Sequence, residues 1–283
     1  MKNIVLATYG GASADGAAMA ASLLAARLQV PLIPVVVYAP IRAVDYVFGA
    51  SDVPPPEDES AMKAALVASV TDQLRRCGVS SPSTVRTGNI PREIAATARA
   101  LGAGLIVTGL GPHRPVDRAL GGETALYLAQ DATAPVLAMP ASATTIPRRV
   151  IAAIDFSATS VHAARTAAGW LRAGDELHLV SVGPKPPHAE AARPADASLL
   201  ARLTKIGEQI GVAAGVRVDA IELSGDPART LRDHARRIGA DLIALGSHGY
   251  GVVKRLVLGS VASKIIRVAT CAVLVAPIGC LEA

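Results

Sequence analysis

Aromatic residues are scarce: Phe, Trp and Tyr make up 3% of 283 residues, with one Trp and two Phe. A core in this chain must therefore be built mainly from Ala, Val, Leu and Ile. A row of aromatic platforms for stacking nucleic-acid bases is excluded. Cysteine is also rare. Cys77, Cys271 and Cys280 are odd in number and lack short spacing, which argues against a disulfide framework or a zinc site. Long hydrophobic runs are missing, and none approaches the ~20 apolar residues of a membrane helix. The start, Met1-Lys2-Asn3-Ile4-Val5-Leu6, is basic then apolar, but the run stops at Tyr9-Gly10-Gly11. That is too early for a signal peptide, so it reads as a strand, and a cytoplasmic location is expected. Charge of one sign is not in large excess: 28 Lys and Arg face 23 Asp and Glu, a net +5. The basic residues come as singles or pairs, such as Arg75-Arg76 and Lys254-Arg255, which reads as solvated helix faces and not as a nucleic-acid groove. His113, His162, His178, His188 and His234 have no paired spacing with an acid, so no metal is expected.

What is present is a folding chain. Hydrophobic residues reach 51% beside 18% charged, which excludes a mostly disordered polymer. The length suggests two domains.

An internal repeat organises the chain. Leu105-Ile106-Val107-Thr108-Gly109 returns as Leu242-Ile243-Ala244-Leu245-Gly246, and Ala134-Pro135-Val136-Leu137-Ala138-Met139-Pro140 returns as Cys271-Ala272-Val273-Leu274-Val275-Ala276-Pro277. Gly88-Asn89-Ile90-Pro91 likewise corresponds to Gly225-Asp226-Pro227. At the front, Ile4 to Tyr9 matches Val150 to Asp155 with a longer offset, so the first copy carries about nine extra residues. They are expected in Tyr46 to Ser60, a proline-rich surface loop before a helix. The two copies are read as domains 1–143 and 147–283, joined by a Ser/Thr/Ala/Pro linker.

Within each copy short apolar runs alternate with helical stretches. The strands expected are Asn3–Thr8, Leu32–Tyr38, Thr84–Thr87, Leu105–Gly109 and Val136–Met139, then Arg149–Ile154, Glu176–Val182, Arg217–Leu223, Leu242–Gly246 and Val273–Ala276. The runs are continuously apolar, as in a parallel sheet buried on both faces. Helices are expected over Asp15–Leu28, Pro227–Ile238 and Val261–Val268. Pro227 suits a first helical turn, and Gly10-Gly11 reads as a turn into the first helix. The fold class is α/β: two tandem doubly wound five-stranded parallel sheets, Rossmann-like. In each copy the last strand is an edge needing cover, so the copies are expected to pack on each other. Ligands in such folds sit beyond the carboxyl ends of the strands, at the switch in strand order.

In the second copy that place holds Gly246-Ser247-His248-Gly249, nine residues that include Lys254 and Arg255, and then Gly259-Ser260-Val261. Gly246 and Gly249 allow close backbone approach and φ > 0. The helix opened by Gly259-Ser260 offers unpaired N–H groups that suit phosphate. The competing reading is a turn followed by an N-cap serine. Elsewhere, Ser157, Ser160 and His162 could be read as a nucleophilic group, but Ser157 as a helix cap is the stronger reading. Trp170 is expected to pack at the end of the nearby helix, and Cys271 to open the last strand as a structural thiol.

The pattern Gly246-x-x-Gly249, nine residues, Gly259-Ser260 resembles that of ATP-binding universal stress proteins, and Cys-Ala-Val-Leu-Val-Ala-Pro is similar to the same family. The resemblance covers essentially the whole chain as two tandem domains. It implies the adenine nucleotide alpha hydrolase-like variety of the Rossmann-like fold. It also implies ATP as ligand, with or without Mg. Asp155 then matches the family acid near adenosine. Ala153 and Ile154 match positions lining the adenine pocket, and Val182 matches the valine beneath the base. Gly246, His248, Gly249, Gly259, Ser260 and Val261 match the ribose–phosphate loop and helix start. No catalytic residue is implied.

The first copy departs at these marks. Tyr9 replaces the acid, Pro112 stands where the second glycine should be, and Gly122-Glu123 replaces Gly259-Ser260. A carboxylate there complements the helix dipole and would repel phosphate. The first crevice is therefore expected to be plugged against ATP. The leading functional reading is a regulatory adenine-nucleotide-binding protein with one site per chain, in the second copy. It would have an unknown protein partner and form a homodimer or an intramolecular pseudo-dimer. The alternatives are a slow ATPase or nucleotidyl- or phospho-transfer enzyme, and a nucleotide-free interaction module.

Overall fold

The structure, a computed structural model, describes residues 1–40, 59–110, 122–184, 197–248 and 258–281. The first repeat runs β1 (Ile4–Ala7), α1 (Asp15–Leu28), β2 (Leu32–Tyr38), α2 (Glu59–Arg76), β3 (Thr84–Thr87), α3 (Ile90–Ala100), β4 (Leu105–Gly109), α4 (Gly122–Asp131) and β5 (Val136–Met139). The second runs β6 (Arg149–Ala153), α5 (Ala158–Ala168), β7 (Glu176–Gly183), α6 (Ala197–Ile210), β8 (Arg217–Ser224), α7 (Pro227–Ile238), β9 (Leu242–Gly246), α8 (Ser260–Val268) and β10 (Ala272–Ala276). Short 3-10 turns occupy Ala12–Ala14 and Ile278–Leu281. The expected strands appear at these places with end shifts of one residue. The helix expected from Val261 begins at Ser260. Most of the loop expected over Tyr46 to Ser60 lies outside the described residues.

All ten strands form one sheet, ordered β3-β2-β1-β4-β5-β10-β9-β6-β7-β8. Each repeat is a parallel 3-2-1-4-5 sheet. The seam is an antiparallel pair in which Val273 faces Ala138, Leu274 faces Leu137 and Val275 faces Val136. Each of these strands would otherwise present a row of unpaired backbone groups, and the two cover one another within a single chain. Helix α4 touches α8 across the seam, and the Arg27 guanidinium donates to the Trp170 carbonyl at 3.2 Å. One buried cluster runs through both repeats, from Ile4, Leu24 and Leu137 to Leu274, Trp170 and Leu179.

The near-absence of aromatics is answered by close helix–sheet approach. Helix α1 buries Gly16, Ala17, Ala18, Ala20 and Ala21, and a Cβ on Gly16 would collide with the Pro140 carbonyl at the end of β5. Trp170, just past α5, has no exposed surface, and its indole N–H donates to the Pro147 carbonyl at 3.2 Å. Helix starts follow their sequence signals. Asn89, Ser157 and Asp226 cap α3, α5 and α7 through their side chains, and Pro227 stands in the first turn of α7. Ser157 is therefore a cap, its hydroxyl accepting the Ser160 amide at 3.2 Å. Helix α7 stops at Gly239, whose φ of +64° is the left-handed cap that glycine adopts readily. The three thiols are unpaired. Burial pushes Cys271, just before β10, up to about 11 and Cys280 up to about 12, as for structural thiols.

Candidate functional site: the crevice at the strand-order switch

In a 3-2-1-4-5 sheet the chain leaves the central strands in opposite directions, which opens a crevice at their carboxyl ends. In the second repeat that crevice lies between β6 and β9, where Ala152 pairs with Ala244. Sequence-distant residues converge there. Ala153 ends β6 and Ile154 follows it, Val182 lies near the end of β7, Gly246 ends β9 and Ser260 starts α8.

Asp155 is exposed, and its Oδ1 accepts the Ser157 amide at 3.0 Å. This turn passes through Phe156 at φ +65°, a strained angle for a residue with a side chain. The Arg202 guanidinium covers the Phe156 ring at 3.7 Å. Ala153 and Ile154 point to opposite faces, as neighbours on a strand do. Ala153 is half-buried and packs with Val182 against the cluster of Ile243 and Leu245. Ile154 is 2% exposed, lies in the core under α5, and donates its amide to the Val180 carbonyl at 2.8 Å.

Gly246 has a different reason from the one expected. Its backbone is not among the positive-φ glycines. A Cβ there would sit 2.8 Å from the Ser160 amide nitrogen and closer still to Thr159 Oγ1. The glycine lets β9 abut the start of α5. Two hydroxyls fasten the next turn: Thr159 Oγ1 and Ser157 Oγ donate to the His248 carbonyl at 3.1 and 3.4 Å. Thr159 was not picked out from the sequence, where a threonine in a helix's first turn looks ordinary. The His248 side chain is 4% exposed. Its Nδ1 lies 2.9 Å from Ser247 Oγ, and its Nε2 has no hydrogen-bond partner among the described residues. Such a buried polar atom is costly to leave unpaired.

The start of α8 also differs from the N-cap-serine reading. Gly259 is the N-cap and no side chain caps the helix. Ser260 is the first helical residue and is exposed. The Gly259 amide donates to the Ser247 carbonyl at 2.7 Å, and a Cβ on Gly259 would sit 2.8 Å from that oxygen. This second close approach pins the helix start to the end of β9. Val261 follows, half-buried. Asp226, which caps α7, lies 3.5 Å from Lys264 of α8, and the Arg229 amide holds its carboxyl below the usual range. Gly249, Lys254 and Arg255 lie outside the described residues.

The first repeat has a crevice in the same place, and its described walls are not filled. A cavity of about 510 Å³ opens at the ends of β1, β2 and β4. Pro112 and the Glu123 side chain, on which the expectation of a plugged crevice rests, lie outside the described residues. Tyr9, in the place of Asp155, is 55% exposed and contacts Ser13 through its hydroxyl. Beside it, fully buried Gln73 of α2 reaches the Thr8 hydroxyl, the Gly11 carbonyl and the Asp15 carboxylate. This network has no counterpart among the residues singled out in the second repeat.

Two doubly wound repeats, each with a strand-order switch between its first and fourth strands, define an α/β protein of the Rossmann-like class. The family is narrower. The universal stress protein family matches residues 1–140 and again 147–277, and the chain belongs to it. Universal stress protein YxiE of Bacillus subtilis is 39% identical over 61 residues, which is 22% of this chain and 41% of YxiE. The match thus spans less than half of that relative's length. Universal stress protein Sll1654 of Synechocystis is 31% identical over 105 residues, 36% of this chain and 67% of the relative. Among solved structures, a universal stress protein from Archaeoglobus fulgidus superposes with a TM-score of 0.68 at 20% identity, covering 97% of this chain and 96% of that one. That likeness is one of fold. No helix among the described residues is long and apolar enough to cross a membrane.

Proposed function

We propose that the chain is a regulatory nucleotide-binding module, holding one ATP or related adenylate per chain in the crevice of the second repeat. The observation that carries this reading is the start of α8. Like α1 and unlike α3, α5 and α7, it carries no side-chain cap, and it is held against the end of β9 by the contact between the Gly259 amide and the Ser247 carbonyl. An uncapped helix N-terminus at the mouth of a switch-point crevice suits an anionic group. Ala153 and Val182 offer an apolar bed for a base. Asp155, exposed and with one oxygen engaged, keeps acceptor capacity for a sugar hydroxyl or ring donor. Gly259, Ser260 and Val261 take the phosphate end, with His248 beside them after the end of β9.

The proposal divides the chain into a first domain, 1–143, that does not take nucleotide in this manner, and a second, 147–283, that does. Pairing of β5 with β10 inside one chain supports the pseudo-dimer arrangement, since the edge each repeat would use for a partner is already covered. Nucleotide occupancy would act by biasing one state of a partner surface over another.

Mass spectrometry of small molecules released from freshly purified, denatured protein tests the ligand class. The reading expects an adenylate at one per chain. Protein that retains none, even after incubation with ATP, would count against it.

A further inference from the structure

We propose that the crevice of the first repeat is a second binding site of different chemistry, taking an uncharged ring compound of one or two rings that bears one or two hydrogen-bonding groups. The cavity of about 510 Å³ falls in the range of small-molecule sites, ~300–1,000 Å³. Its walls come from separate elements: Ala7 of β1, Val35 and Val37 of β2, Leu66 of α2, Ile94 of α3 and Thr108 of β4. Ala7, Val35, Val37, Ile94 and Thr108 are all less than a tenth exposed. The apolar bed is therefore part of the folded core and not a surface dimple.

None of the described residues lining the cavity is Asp, Glu, Lys, Arg or His. A charged ligand would have to leave water without a counter-ion, at a cost of several kcal/mol or more. The cavity is not wholly apolar, however. Tyr38 and Thr108 line it at 5% and 6% exposure, and neither hydroxyl has a hydrogen-bond partner among the described residues. Burial, and after it the nearby Glu59 carboxylate, raise the Tyr38 phenol above its ordinary value, so it is a neutral donor at pH 7. The Thr8 hydroxyl, by contrast, is already committed to Gln73. Two buried hydroxyls against branched aliphatic walls match a compact ring with polar substituents, and they reject a phosphate tail. On this reading the two repeats keep the same crevice and divide ligand chemistry by charge.

The test uses the full chain with 2-naphthol and indole as neutral probes and ATP as the charged one, followed by methyl NMR. The expected result is saturable shifts at Val35, Val37 and Ile94 with at least one neutral probe, while the methyls of Val180, Val182 and Leu245 stay in place. Leu66→Trp should fill the cavity, and Ala39→Trp, at an exposed rim position, should block its mouth with little risk to folding. Each should weaken the neutral probe by about tenfold or more, a change of ~1.4 kcal/mol, with ATP binding and melting temperature unchanged. No saturable shift with either neutral probe would overturn the proposal. So would shifts confined to the second repeat, or neutral-probe affinity unchanged in both variants. Failure of ATP to bind leaves this result readable, because the two sites report through different methyls.

Discussion

The two carboxyl-terminal edges of the sheet share a backbone plan and differ in what stands on it. In the second repeat the edge is polar: an exposed acid, and a buried histidine with a nitrogen unpaired among the described residues. In the first repeat the corresponding edge is a cavity with no charged lining among the described residues, beside a buried glutamine network. The amino-terminal edges differ as well. β6 and β7 begin with Arg149 opposite Glu176, and Arg217, His178 and Asp219 extend that lattice. The matching start of the first repeat pairs Ile4 with Leu32, and Pro31 precedes that pair. The lesson is that topology alone places a crevice, whereas its chemistry depends on a few residues at strand ends and helix starts.

That comparison can be broken most forcefully by asking whether the repeats are separate bodies. Trp170→Ala removes a fully buried indole from a cluster that runs through both repeats and should cost about 3–5 kcal/mol. With one sheet and a shared core, urea unfolding should remain a single transition at a lower midpoint. Two resolved transitions, with only the second repeat weakened, would show the halves to be independent.

A smaller effect is expected from Gly246→Val. Its Cβ would press on Thr159 and the Ser160 amide, an overpacking cost of about 1–3 kcal/mol. Nucleotide binding should weaken along with stability, because β9 and the start of α5 would be driven apart. A variant as stable as the parent would refute the close-packing role of this glycine.

The amino-terminal lattice gives a pH test. Hydrogen bonds from Arg149, then His178, hold Glu176 near pKa about 2, below its ordinary 4.5. A depressed carboxylate adds stability above its unfolded pKa and loses it as pH falls toward the folded one. Thermal melts should show this contribution fading from about pH 4.5 down to about 2. Glu176→Gln should lower the melting temperature at pH 7 and flatten its decline in that window. An unchanged acid slope would mean that the lattice contributes nothing.

Much of the architecture was legible in the residues. Buried parallel strands advertise themselves as unbroken apolar runs, so Leu105–Gly109 and Leu242–Gly246 were found without error. The need to cover Val136–Met139 and Val273–Ala276 anticipated that the repeats would join. The helix caps were equally plain, because Ser157 and Asp226-Pro227 carry local signals. The reason for Gly246 was not legible. Its neighbour is Thr159, far away in sequence, and a glycine in a Gly-rich loop invites a ligand explanation first. Nor was the cavity of the first repeat. Val35, Leu66 and Ile94 look like ordinary core residues, and only the fold reveals that they leave space between them. Tyr9, exposed in the place of Asp155, is the described residue at which the two crevices differ, whereas Pro112 and the Glu123 side chain lie outside the described residues.

The most direct measurement is calorimetric titration of the full chain with ATP, alongside Ser260→Glu, which places at α8 the carboxylate that the first repeat carries at Glu123. One nucleotide should bind per chain, and the substitution should weaken it by about tenfold or more, since like charges meet at the helix start. Two nucleotides per chain, none, or an affinity indifferent to the new carboxylate would contradict the account.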